Sequence, residues 1–216
     1  MASLAALLER APDIARALET RDMMRAIELI QQRFPRADVR TVLDKWALVD
    51  SLRAANVLFG NGDLEAALMR LGRNDAPAAL CGWDCAGRID VQQMRSVLLH
   101  VWQMAEYPCR VLPRRTWLEW FERVGFVSDG APEPSEPVEA WRAQVGRSIG
   151  LAWSRDQERA GWFHKRNLER GWQARLLHVV APPTAVLGIL DEGRGEQEVI
   201  LHPHRLPRRR AASVAG

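Results

Sequence analysis

The sequence predicts an α+β chain: a helical N-terminal domain followed by a small strand-rich domain with one main helix. Three observations predict it. Up to about residue 127 apolar residues recur at the 3.6-residue helical period. The segment 128–137 holds Pro132, Pro134 and Pro137 and no large apolar residue, the composition of a linker. Beyond it, short apolar runs alternate with turn residues, as strands do. The expected organisation is a helical domain over 1–127, a Pro-rich linker over 128–137, a strand-rich domain over 138–206 and a basic disordered tail over 207–216.

The helical half reads element by element. Leu4, Leu7, Leu8, Ile14 and Leu18 place an amphipathic helix over 3–18. A second covers 22–34 and stops at Pro35. A third covers 37–59, with Val39, Val42, Leu43, Trp46, Val49, Leu52 and Val57 apolar, and ends at Gly60-Asn61-Gly62. Asp63 caps a short helix running to Leu71. Residues 72–89 read as a loop. Asp90 and Gln93 form a capping-box pattern for a helix over 91–106, and Pro108 closes it. Pro113 opens the next helix, over 114–124. Its aromatic stripe of Trp117, Trp120, Phe121 and Val124 belongs in a core, with Gly125 as C-cap.

In the second half, strands are expected over 138–143, 149–153, 172–180, 186–190 and 198–201. A helix is expected over 156–166, with Ser154 as its cap and Gln157 three residues on. Pro182-Pro183 breaks the chain, and 191–195 is a turn.

Composition limits the function classes. Of 216 residues, 47% are hydrophobic, so a core can be buried. No apolar run reaches the roughly 20 residues that a bilayer span needs. The first ten residues read as amphipathic helix without a signal peptide's basic start, which points to a cytoplasmic protein. Net charge is +3 and pI about 9.1. The basic residues are 28 arginines against Lys45 and Lys165, a skew that a GC-rich genome produces without any anionic partner. Cys81, Cys85 and Cys109 read as reduced, partly buried thiols, because a structural zinc site needs four ligands. His202 and His204 lack a third ligand, so no metal is expected.

The pieces that can carry chemistry lie near the end: Ala140-Trp141-Arg142, Gly150-Leu151-Ala152-Trp153-Ser154 and Gly195-Glu196-Gln197-Glu198-Val199. An arginine, a serine and a glutamate stand, in that order, on or beside short strands. With the Pro-Pro-Thr-Ala-Val-Leu-Gly-Ile-Leu run at 182–190, this pattern resembles the arginine–serine–glutamate branch of the ADP-ribosyltransferase family, over about a third of the chain. Only the first serine of the family's Ser-Thr-Ser is present, since Arg155 and Asp156 follow Ser154.

The resemblance implies NAD as substrate, an ADP-ribose transfer to a protein or other acceptor, or NAD hydrolysis. It also implies a bacterial or bacteriophage setting, with a toxin or host-takeover role. Arg142 would grip the pyrophosphate, because a planar guanidinium binds phosphate bidentately. Glu198 would stabilise the positive charge that builds on the ribose as nicotinamide leaves. Glu196 would orient or deprotonate the acceptor. Ser154 would bond the ribose or amide end, and Trp153, Trp162 or Phe163 would stack on nicotinamide.

Each residue also has a plainer reading: Ser154 as a helix cap, Glu196 and Glu198 as a solvated turn and strand edge, Arg142 as an edge-strand surface residue. Two other classes stay open. One is a non-catalytic interaction protein with a degenerate nucleotide-binding fold. The other, ranked last for want of any recognition motif, is a nucleic-acid-associated basic protein.

Overall fold

Nearly every predicted helix and strand is present in the computed structural model, which describes residues 11–191 and 197–207. Expectations on residues 1–10, on the turn 192–196 including Glu196, and on the tail 208–216 lie outside the described residues. The chain divides into two compact units, Met1–Gly72 and Arg73–Gly216.

The first unit holds α1 (Pro12–Glu19), α2 (Met23–Arg33), α3 (Val39–Gly60) and α4 (Leu64–Met69). Pro12 suits the first turn of α1, where its missing N–H has no partner to lose. Asp22, Asp38 and Asp63 cap the next three helices, each accepting a backbone N–H. Ile14, Leu18, Ala26, Ile30 and Val42 form the core of α1, α2 and the start of α3. Near its other end α3 buries Ala55 and Phe59, while Val57 stands exposed, off the predicted apolar face.

The second unit begins with α5 (Asp75–Cys85), where the sequence predicts a loop. Pro77 falls within the first helical turn, where proline costs no hydrogen bond. Ala76, Pro77, Leu80 and Trp83 make the buried stripe. The helices α6 (Val91–Met104), α7 (Pro108–Val111) and α8 (Arg114–Val124) follow. The Asp90–Gln93 capping box is fully formed. Gly125 ends α8 at φ +77°, a conformation that favours glycine.

The aromatic stripe is core, as its spacing predicts. Trp117 lies edge-on to Trp102 at 5.0 Å and to Trp120 at 5.3 Å. Asp84 ties α5 to α8, accepting from Trp120 Nε1 and from Arg123 Nη2, each at 2.7 Å. Replacing Asp84 with Ala strands the buried indole N–H of Trp120. It should cost about 1–3 kcal/mol, read as a lower urea midpoint at unchanged slope.

Among the described residues six strands form one sheet in the order β1-β5-β6-β3-β2-β4. They are β1 (Val127–Ser128), β2 (Val138–Val145), β3 (Ala152–Ser154), β4 (Ala174–Ala181), β5 (Val186–Leu190) and β6 (Glu198–Leu201). Among the described residues only β1 and β5 pair in parallel. The main helix, α9 (Gln157–Glu169), packs on β2, β3 and β4. A second core, with Ala140, Trp153, Leu177, Val179, Val199 and Leu201, lines one face of the sheet.

Residues 128–137 join strands of this one sheet and separate no domains. The crossing from β1 to β2 passes four interstrand steps, roughly 19 Å at about 4.8 Å each. Nine extended residues cover that distance. Prolines suit a segment that runs across strand ends rather than along a ladder. Asp129 N donates to Ile189 O, and Asp191 N donates to Asp129 Oδ1. The boundary between compact units falls instead at Gly72–Arg73, so α5 to α8 belong with the sheet.

Behind α8, His202 is buried. Its Nδ1 accepts from His204 N, leaving Nε2–H toward Glu122 at 3.2 Å, while Arg205 reaches the same carboxylate at 2.7 Å. Burial, then Arg205, push the His202 pKa below its ordinary 6.5, against the raising effect of Glu122. The unfolded chain therefore binds this proton more readily. The stability held by the neutral ring is full above about 6.5 and is lost as the pH falls from there toward the folded value. Urea midpoints taken from pH 7.5 down to 5 should fall more steeply for the native chain than for His202→Asn.

Candidate functional site

The three strands named by the sequence lie side by side, as β6-β3-β2. Ser154 stands directly opposite Glu198 on one side and Trp141 on the other. Directly paired residues share a face, so Ser154 and Glu198 project together, with Cα atoms about 5 Å apart. Glu198 is half-buried. Trp102 on α6 donates its indole N–H to Glu198 Oε1 at 2.7 Å. The carboxylate is thus held in a fixed direction by a rigid donor from the aromatic core.

Arg142 follows Trp141 and so begins on the opposite face. The β2–β3 ladder consists of the single pair Trp141–Ser154, and the strands part beyond it. The Arg142 guanidinium supplies the polar contacts there. Its Nη1 donates to Ala152 O, and its Nε donates to Gln144 Oε1 at 2.9 Å. Buried Gln144 in turn donates to Ser148 O at 2.9 Å, and Arg114 donates to Ile149 O at 2.8 Å, fixing the loop between the strands. Gly150 lies against them, and a Cβ there would overlap the guanidinium and force it to shift. Burial lowers the Arg142 pKa, against the raising influence of Cys109 and then Glu198. The arginine and the glutamate therefore sense each other, although part of the arginine's hydrogen-bonding fork is already used by the protein.

The other named residues fare differently. Trp153 is a core residue, 4% exposed, with Nε1 donating to Gly150 O at 3.2 Å. Its ring packs in the face opposite Ser154, which corrects the expectation that it stacks on a ligand. Ser154 accepts from Asp156 N at 3.0 Å, but the cap of α9 is Asp156, which accepts from Glu158 N and Arg159 N. The hydroxyl is therefore not the helix cap that the sequence suggested. Trp162 and Phe163 meet edge-on at 4.9 Å on α9, with Trp162 49% exposed. Glu196 lies outside the described residues.

Three residues missed at the sequence level belong to this neighbourhood: Trp102, Gln144 and Arg155. Arg155 N donates to Gln197 O just before Glu198, and its guanidinium pairs with Asp191. It lines a cavity of about 670 Å³ bounded by the 129–137 segment, Ile189 and Asp191. That volume suits a small ligand, but Asp129, Glu133, Glu136 and Asp191 make its lining acidic. Such a lining repels a pyrophosphate. Among the described residues no cluster of His, Cys, Asp or Glu can hold a metal, and the three cysteines are free. Cys81 is half-buried, whereas Cys85 and Cys109 are exposed rather than partly buried as expected. No described helix is long and apolar enough to cross a membrane. Comparison with family models, curated proteins and solved structures finds no match for this chain.

Proposed function

We propose that the chain is an NAD-dependent ADP-ribosyltransferase-like protein that uses Glu198 as its catalytic carboxylate and Ser154 and Arg142 as cofactor contacts. The observation that carries the reading is the register: Ser154 and Glu198 face each other on β3 and β6, with β2 and its arginine next in line. A carboxylate held by the Trp102 indole is pre-oriented, and a pre-oriented charge stabilises a developing cation without reorganising. Ser154, one strand away, is placed to bond a ribose hydroxyl or the carboxamide. Arg142, buried and starting from the opposite strand face, contributes positive charge that Glu198 senses, with Nη2 the part of its fork turned to Gly150. The acceptor is a protein side chain, another small acceptor or water.

A second reading has an observation of its own. Arg142 Nη1 and Nε are committed to Ala152 O and Gln144, as expected if the arginine is structural and the chain is a non-catalytic interaction protein with a degenerate nucleotide-binding fold. Incubation with NAD labelled in the adenylate half, with a lysate as acceptor source, separates the two. Transfer of label or release of free nicotinamide supports the enzyme. Stabilisation by NAD, with a rising melting temperature and no turnover, supports the binding protein. Neither effect at millimolar NAD removes both.

A further inference from the structure

We infer that the outer face of α9 is a binding surface for single-stranded nucleic acid, a role separate from the NAD reading. Trp162 is 49% exposed and Trp172, just past the helix, 41% exposed. Large apolar groups exposed along one surface mark a contact site, and here their companions are cations. The Arg159 guanidinium lies 5.3 Å from the Trp162 ring and that of Arg166 lies 5.1 Å from it, while Arg170 lies 5.5 Å from Trp172. Residues 159, 162, 166 and 170 follow the helical repeat, so these groups form one stripe. Over 157–172 there are four arginine and lysine side chains against Glu158 and Glu169.

The chemistry selects the partner. A guanidinium stacked on an indole uses its face and keeps its in-plane N–H groups for phosphate oxygens. Among the described residues, neither Arg166 nor Arg170 spends its guanidinium on a hydrogen bond or ion pair. Single strands are held in this way, by cations that follow the backbone and aromatic rings that stack bases without reading them. The stripe, about 16 Å long at 1.5 Å per residue, spans two or three nucleotides. An anionic membrane surface is the poorer fit, because an interfacial helix needs a continuous apolar face. Here exposed Trp162 and Leu168 are separated by Lys165 and Arg166.

The test is anisotropy of a labelled oligothymidylate of about 15 nucleotides, titrated with the full chain from about 50 to 200 mM salt. The native protein should bind, with a log–log salt dependence. Arg166→Gln with Arg170→Gln should weaken binding at least about tenfold and lower the salt slope by about 1.4. Trp162→Leu should weaken it about tenfold, and Trp162→Phe, which keeps a ring, should recover most of that loss. Melting curves and the NAD-induced shift of the arginine pair, taken in parallel, separate failure of this inference from failure of the NAD reading. Absence of binding at the lowest salt overturns it, as does binding that the arginine pair leaves unchanged. Binding to phosphatidylserine vesicles without binding to the oligomer assigns the face to membranes and overturns it equally.

Discussion

Changing Glu198 to Gln is expected to lower nicotinamide release from NAD by at least about a hundredfold while leaving the melting temperature nearly unchanged. The two effects separate because the substitution removes charge and little else. The Gln side-chain oxygen can still accept the Trp102 indole N–H that now reaches Oε1 at 2.7 Å, so the donor is not left stranded. The side chain keeps its place on β6 opposite Ser154. What disappears is the negative charge beside the ribose carbon, which matters only as the glycosidic bond breaks. NAD affinity should therefore fall much less than turnover, the pattern of an interaction made in the transition state. A parallel loss of affinity and rate would assign Glu198 to ground-state binding. Quantifying free nicotinamide by chromatography in single-turnover conditions, beside an NAD titration, reads both quantities.

Trp117→Ala should be the most destabilising single change, at about 3–5 kcal/mol. Trp117 is fully buried, touches Trp102 and Trp120 edge-on and donates its indole N–H to Pro108 O at 3.0 Å. Truncation opens a cavity where α6, α7 and α8 meet. The loss extends to the candidate site, because Trp102 packs on Trp117 and orients Glu198. A urea titration should show a large fall in midpoint. Any activity surviving at low temperature should fall more than the folded fraction does. Trp117→Phe, which keeps an aromatic ring, should lose about half as much.

Periodicity and capping made most of the fold legible. The strands β5 and β6 fall at the residues their apolar runs predict, and the Asp90–Gln93 box starts α6 at Val91. The failures have identifiable causes. α5, in the stretch 72–89 that reads as a loop, carries Pro77 and Gly82, residue types that disfavour a helix interior. One lies within the first turn, where proline is harmless, and the buried stripe 76–77–80–83 was the usable signal. The 128–137 segment has a linker's composition because a crossing at strand ends needs extended backbone without a ladder, and local sequence cannot tell that from a hinge. β1 is two residues long and exists through its pairing with β5, 61 positions on from Val127 at Gly188.

At the site, the order arginine, serine, glutamate led to three strands that are neighbours in the sheet. Local pattern could not supply the rest. Trp153 and Ser154 are adjacent in sequence, yet strand alternation sends one into the core and the other to the Glu198 side. Trp102 lies 96 residues from the carboxylate it holds, a distance over which no periodicity operates. Arg142 has the chemistry of a phosphate grip, but the splayed β2–β3 junction engages it internally, and only the tertiary structure reveals that demand.

Calorimetric titration of NAD into the full-length protein, beside the same titration into Glu198→Gln, tests the central claim most directly. A cofactor site spanning β2, β3 and β6 predicts saturable one-site heat for both proteins, with affinities within about an order of magnitude of each other. No heat from the native protein at several millimolar NAD would contradict it.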